Sequence, residues 1–397
     1  MSLESLRERK RLVVVGLNSG TSADGLDLTA VRLDVRGNIT LIDGRTRRFT
    51  NGTKREIHRL ADSKSVAPEE IIHLHNYLGQ LFGHSAASYI KKLKQSHRLT
   101  VHAVASHGQT IRHLPGSVRV GRYRVNGTLQ LGSLDHIAAA TGLTTVGDFR
   151  QADVAVGGEG APITIGAMAR LFGDRTRSRL IVNIGGMSNY FYIPAGAQIV
   201  SGRDCGPGNV LCDLLMRHLF DKPWDRDGRV ASRGRVSQRL LSLLLAHPFF
   251  NGRTASTGRE AFGTAMVREI ISFGRRFDVP DEDLLATAAE LTTMTIATSV
   301  FPLVERNAKL ADLYLMGGGR RNRHFCNRLA HHLPDLDIKP VEELGVDGDY
   351  IEAAAFAVMG AACLRSETLP GTATAAKRKT REPISGHIVQ PPKGIGK

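Results

Sequence analysis

Apolar and polar positions divide this chain into short runs with two different periods. Residues 12–17, "LVVVGL", are almost continuously apolar, and "DLTAVRLDV" follows a polar turn, so the pair predicts a β-hairpin. "ITLIDGRTRRFT" predicts a third strand. Across 68–95 the apolar positions recur at helical spacing. "VHAVASHGQT" returns to a strand, "LDHIAAATG" predicts a short helix closed by Gly142, and "LTTVGDFR" predicts a strand ending in a charged turn.

The order then starts again. "RLIVNIGGMSNYFYI" (179–193) is an apolar strand, a Gly-Gly turn and a second β-rich run. Helices are predicted over 208–220, 233–246, 257–277 and 282–308. "LYLMGGGRRNRHFCNRLAHHL" reads as strand, triple-glycine turn and helix, and "DYIEAAAFAVMGAACL" as a late, alanine-rich helix able to pack closely. Two similar halves imply an internal duplication with a cleft between them. The fold class expected is α/β. The boundaries expected are a basic extension over 1–11, a first domain over 12–179, a second over 180–365 whose last helix packs back on the first, and a basic, largely irregular tail over 366–397.

Length supports two domains, since 397 residues exceed one typical core. Charge changes the picture less than its size suggests. The net charge is +15, but residues 1–12 hold four basic and two acidic side chains and 365–397 hold seven and two, leaving +8 for the body. No aromatic residues interleave with the basic ones, so a small anionic substrate or a solvated basic surface explains the charge at least as well as nucleic acid. No apolar run suggests a membrane span or signal peptide, and four cysteines without zinc-like spacing fit a reducing cytoplasm.

Three strands end in glycine turns, and these turns carry the candidate chemistry. In "NSGTSADG", glycines let backbone N–H groups face an anion, and Thr21 and Ser22 add hydroxyls. Asp24 and Asp27 would repel phosphate directly but suit a magnesium ion held through water. The G-x-x-x-x-G-K-[ST] pattern is absent, so this is not a Walker loop, and a tight hairpin with local side-chain hydrogen bonds explains the residues equally well. Gly185–Gly186 with Asn189, and Gly317–Gly319, form similar turns. The acid–base candidates lie at other strand ends: His107, Gln109 and His113; Asp148, Arg150, Asp153 and Glu159; Asp204, Asn209 and Asp213; and Glu352. Cys205 and Cys212 read as buried apolar filler.

"GLNSGTSADGLD", "SHGQTIRH", "DFRQADVAVGGEGAP", "NIGGMSN", "DCGPGN", "STGRE-F", "GGGRRN" and "EAAAFA", in this order over about residues 12–360, resemble the motifs of the anhydro-N-acetylmuramic acid kinase family. The resemblance implies the actin, sugar kinase and heat-shock ATPase architecture: two RNase H-like domains with an ATP cleft between them. It implies a carbohydrate kinase that phosphorylates O6 of 1,6-anhydro-N-acetylmuramic acid while water opens the anhydro bridge. It assigns the ATP phosphates to Ser19, Gly20, Thr21, Ser22, Ala23, Asp24 and Gly25, a second phosphate turn to Gly185 and Gly186, and the adenosine side to Gly317 and Gly318. Asp204 becomes the base that activates water, with Asp148 and Asp153 as rivals; Arg150, Glu352 and His107 become sugar contacts; and Asp24 positions Mg2+ through water. The implied partners are ATP and a small sugar, with no nucleic acid and no membrane, and a homodimer is one assembly open to it.

Three positions depart from the family pattern. Asn18 stands in place of Met, Ala23 in place of Leu, and Cys205 in place of Thr next to Asp204. The last removes a hydroxyl beside the expected base. Two other functions remain open on sequence grounds: a kinase that phosphorylates an ordinary hydroxyl of another amino sugar, and an ATP-responsive binding protein without catalysis.

Overall fold

The first strand and its partners follow directly from the two apolar runs. In the computed structural model, which describes residues 2–196, 200–251, 262–307, 310–369 and 383–392, a short helix α1 (Leu3–Arg7) precedes β1 (Arg11–Ser19). Next come β2 (Gly25–Asp34), β3 (Ile39–Arg48), α2 (Asn51–Asp62) and α3 (Pro68–His97). Then follow β4 (Ala103–Val120), β5 (Tyr123–Leu131), α4 (Leu134–Thr141), β6 (Thr144–Gly147), α5 (Gln151–Ala155) and α6 (Ile165–Phe172). β1 and β2 pair antiparallel, as do β2 and β3, whereas β1–β4 and β4–β6 are parallel. β5 pairs with β4 alone.

The second half repeats this plan. β7 (Arg179–Ile184), β8 (Met187–Ile193) and β9 (Ser201–Pro207) are an antiparallel meander. Helices α7 (Val210–Phe220), α8 (Gln238–Leu245), α9 (Thr264–Phe277) and α10 (Asp281–Arg306) follow. β10 (Asp312–Met316), α11 (Arg323–His332) and β11 (Asp337–Pro340) complete it, with β7–β10 and β10–β11 parallel. The strand orders β3-β2-β1-β4-β6 and β9-β8-β7-β10-β11 therefore match in sequence and in direction. This is the RNase H-like pattern expected of each half.

The chain divides into two compact units, Met1–Leu171 with Tyr350–Lys397, and Phe172–Asp349. The alanine-rich helix α12 (Ile351–Leu364) lies in the first of these. Its small residues allow near contact with β1: a Cβ on Gly16 would lie 1.8 Å from the Ala353 carbonyl oxygen. A methyl there requires the helix to move, so Gly16 is set by packing. His387–Val389, within the stretch expected to be irregular, form β12 and pair antiparallel with β6; residues 370–382 and 393–397 of that tail lie outside the described residues. At the other end, α1 buries Leu6, and Arg7 donates from Nε to the Leu364 carbonyl at 3.1 Å.

Each unit has its own core. The first packs α3, through Leu78, Phe82, Ala86 and Tyr89, with Val15, Leu17, Leu28 and Val104. The second packs α7, α9 and α10 against Leu180, Val182, Ile184 and Leu313. α10 contains an 18-residue window with mean hydropathy 1.3, long and apolar enough to cross a bilayer by length and composition, yet 78% of that window is buried. It serves as a central core helix of its unit.

Candidate functional site

The β1–β2 turn is built by buried polar groups beneath an exposed tip. Ser19 Oγ lies 2.6 Å from Gln109 Oε1 on the neighbouring β4, and 3.1 Å from the Gly25 carbonyl. Gln109 Nε2 donates to the Gly20 carbonyl at 3.2 Å. The Ala23 N–H closes the turn on Gly20 O at 3.0 Å, and Ala23 itself is buried with φ of 52°. Ala23 packs among the core residues of the first unit. Thr21 and Ser22 are exposed, with their hydroxyls at the tip.

Two residues of α2 complete this turn, and the sequence reading missed both. Lys54 Nζ pairs with Asp24 Oδ1, and His58 Nε2 donates to the Ser22 carbonyl at 3.1 Å. Helix α2 is polar on average, yet its few apolar residues fall on one amphipathic face that buries Ile57 and Leu60, so its helical period was a readable signal. A second signal was its cap: Thr50 accepts from the Thr53 N–H. A cation does therefore stand beside this turn, supplied by a helix rather than by the loop itself.

Asn18 and Glu352 meet, although 334 positions separate them. Asn18 Nδ2 donates to Glu352 Oε2 at 2.8 Å. Glu352 occupies the first turn of α12, where a carboxylate is favoured by the helix dipole. The departure at Asn18 thus provides a polar partner for an expected sugar contact.

A second cluster forms where β4, β6 and the start of α5 come together. Arg150 donates from Nε to His107 Nε2 at 3.0 Å and from Nη1 to the Gly160 carbonyl at 2.6 Å. His107 is 7% exposed and stacks on Phe356 of α12, with ring centroids 4.5 Å apart. Burial, and then the adjacent Arg150 charge, hold its pKa well below the usual histidine value. His113 is pushed down to about 4 by burial and by Arg150. Both of its ring nitrogens are buried with no hydrogen-bond partner among the described residues.

The rival bases sit in different surroundings. Asp153 is fully buried, and its Oδ2 accepts from the Gly160 N–H at 2.7 Å, so this carboxylate braces the glycine loop. Glu159 has its pKa raised by burial and by Asp153. Asp148, at φ of 52°, lies 3.3 Å from His387 Nδ1 of β12; burial raises its pKa and His387 opposes the rise.

In the second unit, Asp204 lies in register with Asn189, and Asn189 with Asn183, so the three share one face across β9, β8 and β7. Asn183 Nδ2 donates to Asn189 Oδ1 at 3.2 Å. Gly317, with φ of 75°, follows β10 at the end of this row; a Cβ on it would lie 2.4 Å from Asn183 Oδ1. Gly318 opens a short 3-10 turn reaching Arg321. Arg320, 4% exposed, ties the turn down by donating to the Gly317 carbonyl at 3.0 Å and pairing with Glu342 and Asp349. The carbonyls of Gly185 and Gly186 accept from Asn209, Gly208 and Val210, which fixes the start of α7 on that turn.

Cys205 points away from its neighbour Asp204. Its side chain is 2% exposed within the second core, and burial pushes the thiol up to about 12. The hydroxyl expected at this position would therefore have faced the core rather than the carboxylate. Of the expected site residues, those of the first unit form the β1–β2 turn, the Asn18–Glu352 pair and the His107–Arg150 pair. Those of the second form the Asp204 row and its two glycine turns. "STGRE", residues 256–260, lies outside the described residues.

Residues 12–390 match the family described as anhydro-N-acetylmuramic acid kinase. A protein of that name from Shewanella loihica is 36% identical over 377 residues, covering 94% of this chain and 97% of its own. One from Saccharophagus degradans is 34% identical over 384 residues, covering 96% of this chain and 100% of its own. A match of this length spans both units and both tails' inner ends, so the strand repeats and glycine turns described above all fall within it. The chain belongs to the anhydro-N-acetylmuramic acid kinase family.

Proposed function

We propose that this chain transfers the γ-phosphoryl group of ATP to O6 of 1,6-anhydro-N-acetylmuramic acid and opens the anhydro ring with water in the same event. The products are N-acetylmuramic acid 6-phosphate and ADP, and the step belongs to the recycling of cell-wall sugars. As a family member the chain is an ATP-using carbohydrate kinase.

The chemistry sets what the residues must do. O6 is an ether oxygen in the substrate, so it becomes a nucleophile only as its bond to C1 breaks. A water forms the new bond to C1 and gives its proton to a carboxylate, while O6 takes the phosphoryl group and ADP leaves. Asp204 is the base in this reading. The observation that carries it is its place in the Asn183–Asn189–Asp204 row, which runs from Asp204 to the strand end that carries the Gly185 and Gly317 turns. Asp153 is less suited, because its carboxylate already accepts the Gly160 N–H in a fully buried position.

Ser19 to Gly25 take the phosphates, with the exposed Thr21 and Ser22 hydroxyls as donors. Gly185 and Gly186 form the second phosphate turn, and Gly317 and Gly318 lie on the adenosine side. Arg150 meets the lactyl carboxylate of the sugar, and Glu352 orients a sugar hydroxyl. A magnesium ion binds triphosphate with few protein ligands and keeps several waters, so the largely exposed Asp24 carboxylate is a suitable outer partner. The positive charge of the ion, when bound, would neutralise part of the triphosphate's. We place the reaction in the cytoplasm, with ATP and the sugar as partners, no nucleic acid or membrane, and a homodimer as the proposed assembly.

The test is an assay with ATP, magnesium and the anhydro sugar in heavy-oxygen water. ADP and a reducing-end 6-phosphosugar labelled at C1 are expected. ADP release with the bridge intact would overturn the ring-opening reaction.

A further inference from the structure

We infer that His107 is a positioning residue, which fixes the Arg150 guanidinium for the sugar's carboxylate and does not contact the sugar itself. This rests on the reading that Arg150 meets the lactyl carboxylate.

The geometry is that of a held arginine. The guanidinium is planar, so two anchors on different nitrogens set its orientation. Nε is anchored on His107 Nε2 at 3.0 Å, and Nη1 on the Gly160 carbonyl at 2.6 Å. Each anchor is itself held. The His107 ring stacks on Phe356 at 4.5 Å with an interplanar angle of 21°, and Phe356 in turn stacks on Phe149. Gly160 is held through its N–H by Asp153 Oδ2 at 2.7 Å.

The type of residue matters as much as its position. To accept from Arg150, Nε2 must present its lone pair, so the imidazole is neutral with its proton on Nδ1. Burial and the facing guanidinium both oppose a second proton. A carboxylate in this place would orient the arginine equally well but would cancel part of its charge. A neutral imidazole orients the guanidinium without itself neutralising it. With only 7% of its surface exposed, and one side covered by Phe356, the ring acts through Arg150.

Two sugars separate the possibilities: 1,6-anhydro-N-acetylmuramic acid and 1,6-anhydro-N-acetylglucosamine, which lacks the lactyl carboxylate. For His107→Leu, calorimetry should show affinity for the first sugar falling roughly 10–100-fold, while affinity for the second is unchanged. In turnover of the first sugar, KM should rise much more than kcat falls. His107→Gln, which presents a neutral carbonyl oxygen, should recover most of the affinity; His107→Glu should not, because it brings a negative charge. Equal losses for both sugars, or no recovery with Gln, would overturn the inference and leave His107 as a packing residue or a direct contact. If His107→Leu does not fold, the contrast between Gln and Glu decides alone. Arg150→Ala tests the underlying reading separately: unchanged affinity for the first sugar would remove the carboxylate contact, whatever the His107 variants show.

Discussion

The two halves use the same strand plan but build their first turns in opposite ways. Between β1 and β2 the turn is long, with Thr21 and Ser22 exposed and Lys54 and His58 brought to it by α2. Between β7 and β8 only Gly185 and Gly186 intervene, and their carbonyls are occupied by the first amides of α7. One turn presents side chains. The other is braced by the start of α7, and the proposed base of its unit sits two strands away from β7, at Asp204. Equivalent turns in a duplicated fold are thus built differently: one exposes two hydroxyl residues at its tip, and the other is fixed through its carbonyls by the start of a helix.

Substitutions can break this contrast. The largest effect is expected at the chemistry itself: Asp204→Asn should lower kcat about 10²–10⁴-fold with ATP binding kept, which steady-state kinetics and nucleotide calorimetry would read. A near-normal rate would move the base to Asp148. Gly208→Ala comes next. A Cβ there would lie 2.3 Å from the Gly185 carbonyl oxygen, so the brace must shift, with a loss of about 2–4 kcal/mol in chemical denaturation. Unchanged stability would show that this turn is not a brace. Asn209→Ala removes the side-chain hydrogen bonds to Ile184 O at 3.1 Å and Gly185 O at 2.9 Å, for roughly 1–3 kcal/mol.

Acid should weaken both units, because partly buried histidines with lowered pKa values lie in each, His324 and His332 in the second as well as His107 and His113 in the first. His113 and His107 are held neutral in the first unit, with folded pKa values below the unfolded value near 6.5. The unfolded chain therefore binds protons first as the pH falls. Their contribution to stability is fully present above about pH 6.5 and, for His113, is lost progressively toward about pH 4. Denaturation measured across this range should show stability falling, and His113→Gln should flatten the slope; an unchanged slope would contradict the assignment. The smallest effect is Gly20→Ala. Its Cβ would meet nothing nearer than Ser22 Oγ at 4.0 Å, so stability should change by less than about 0.5 kcal/mol while KM for ATP rises. A large stability loss would make this turn a brace as well.

What the sequence revealed followed the range of each signal. Helix α3 was legible because its apolar face repeats over 30 residues, and the strand–glycine–strand units were legible because each is local. Helix α2 was passed over for its polar composition although its apolar positions do repeat on one face, and Lys54 and His58 were missed with it. The long β4–β5 ribbon was read only at its beginning, since Val118 and Val120 are exposed and give no core-facing alternation. In the site, the glycine turns were visible as motifs, and the pairings were not. Arg150 meets His107 across 43 positions, and Asn18 meets Glu352 across 334, distances at which only the folded topology specifies partners.

Helix α12 lies in the first unit although it is synthesised after the whole of the second. Until residues 351–364 leave the ribosome, the β1 face at Gly16 and the β4 face at Ala105 lack the helix that packs on them, since a Cβ on Gly360 would lie 2.6 Å from Ala105 Cβ. The second unit, Phe172–Asp349, is uninterrupted and is complete by then. The half made first is therefore the half finished last. A nascent chain from which α12 has yet to emerge, but all of Phe172–Asp349 has, would carry a finished second unit and an incomplete first one, the state in which chaperones would meet this protein.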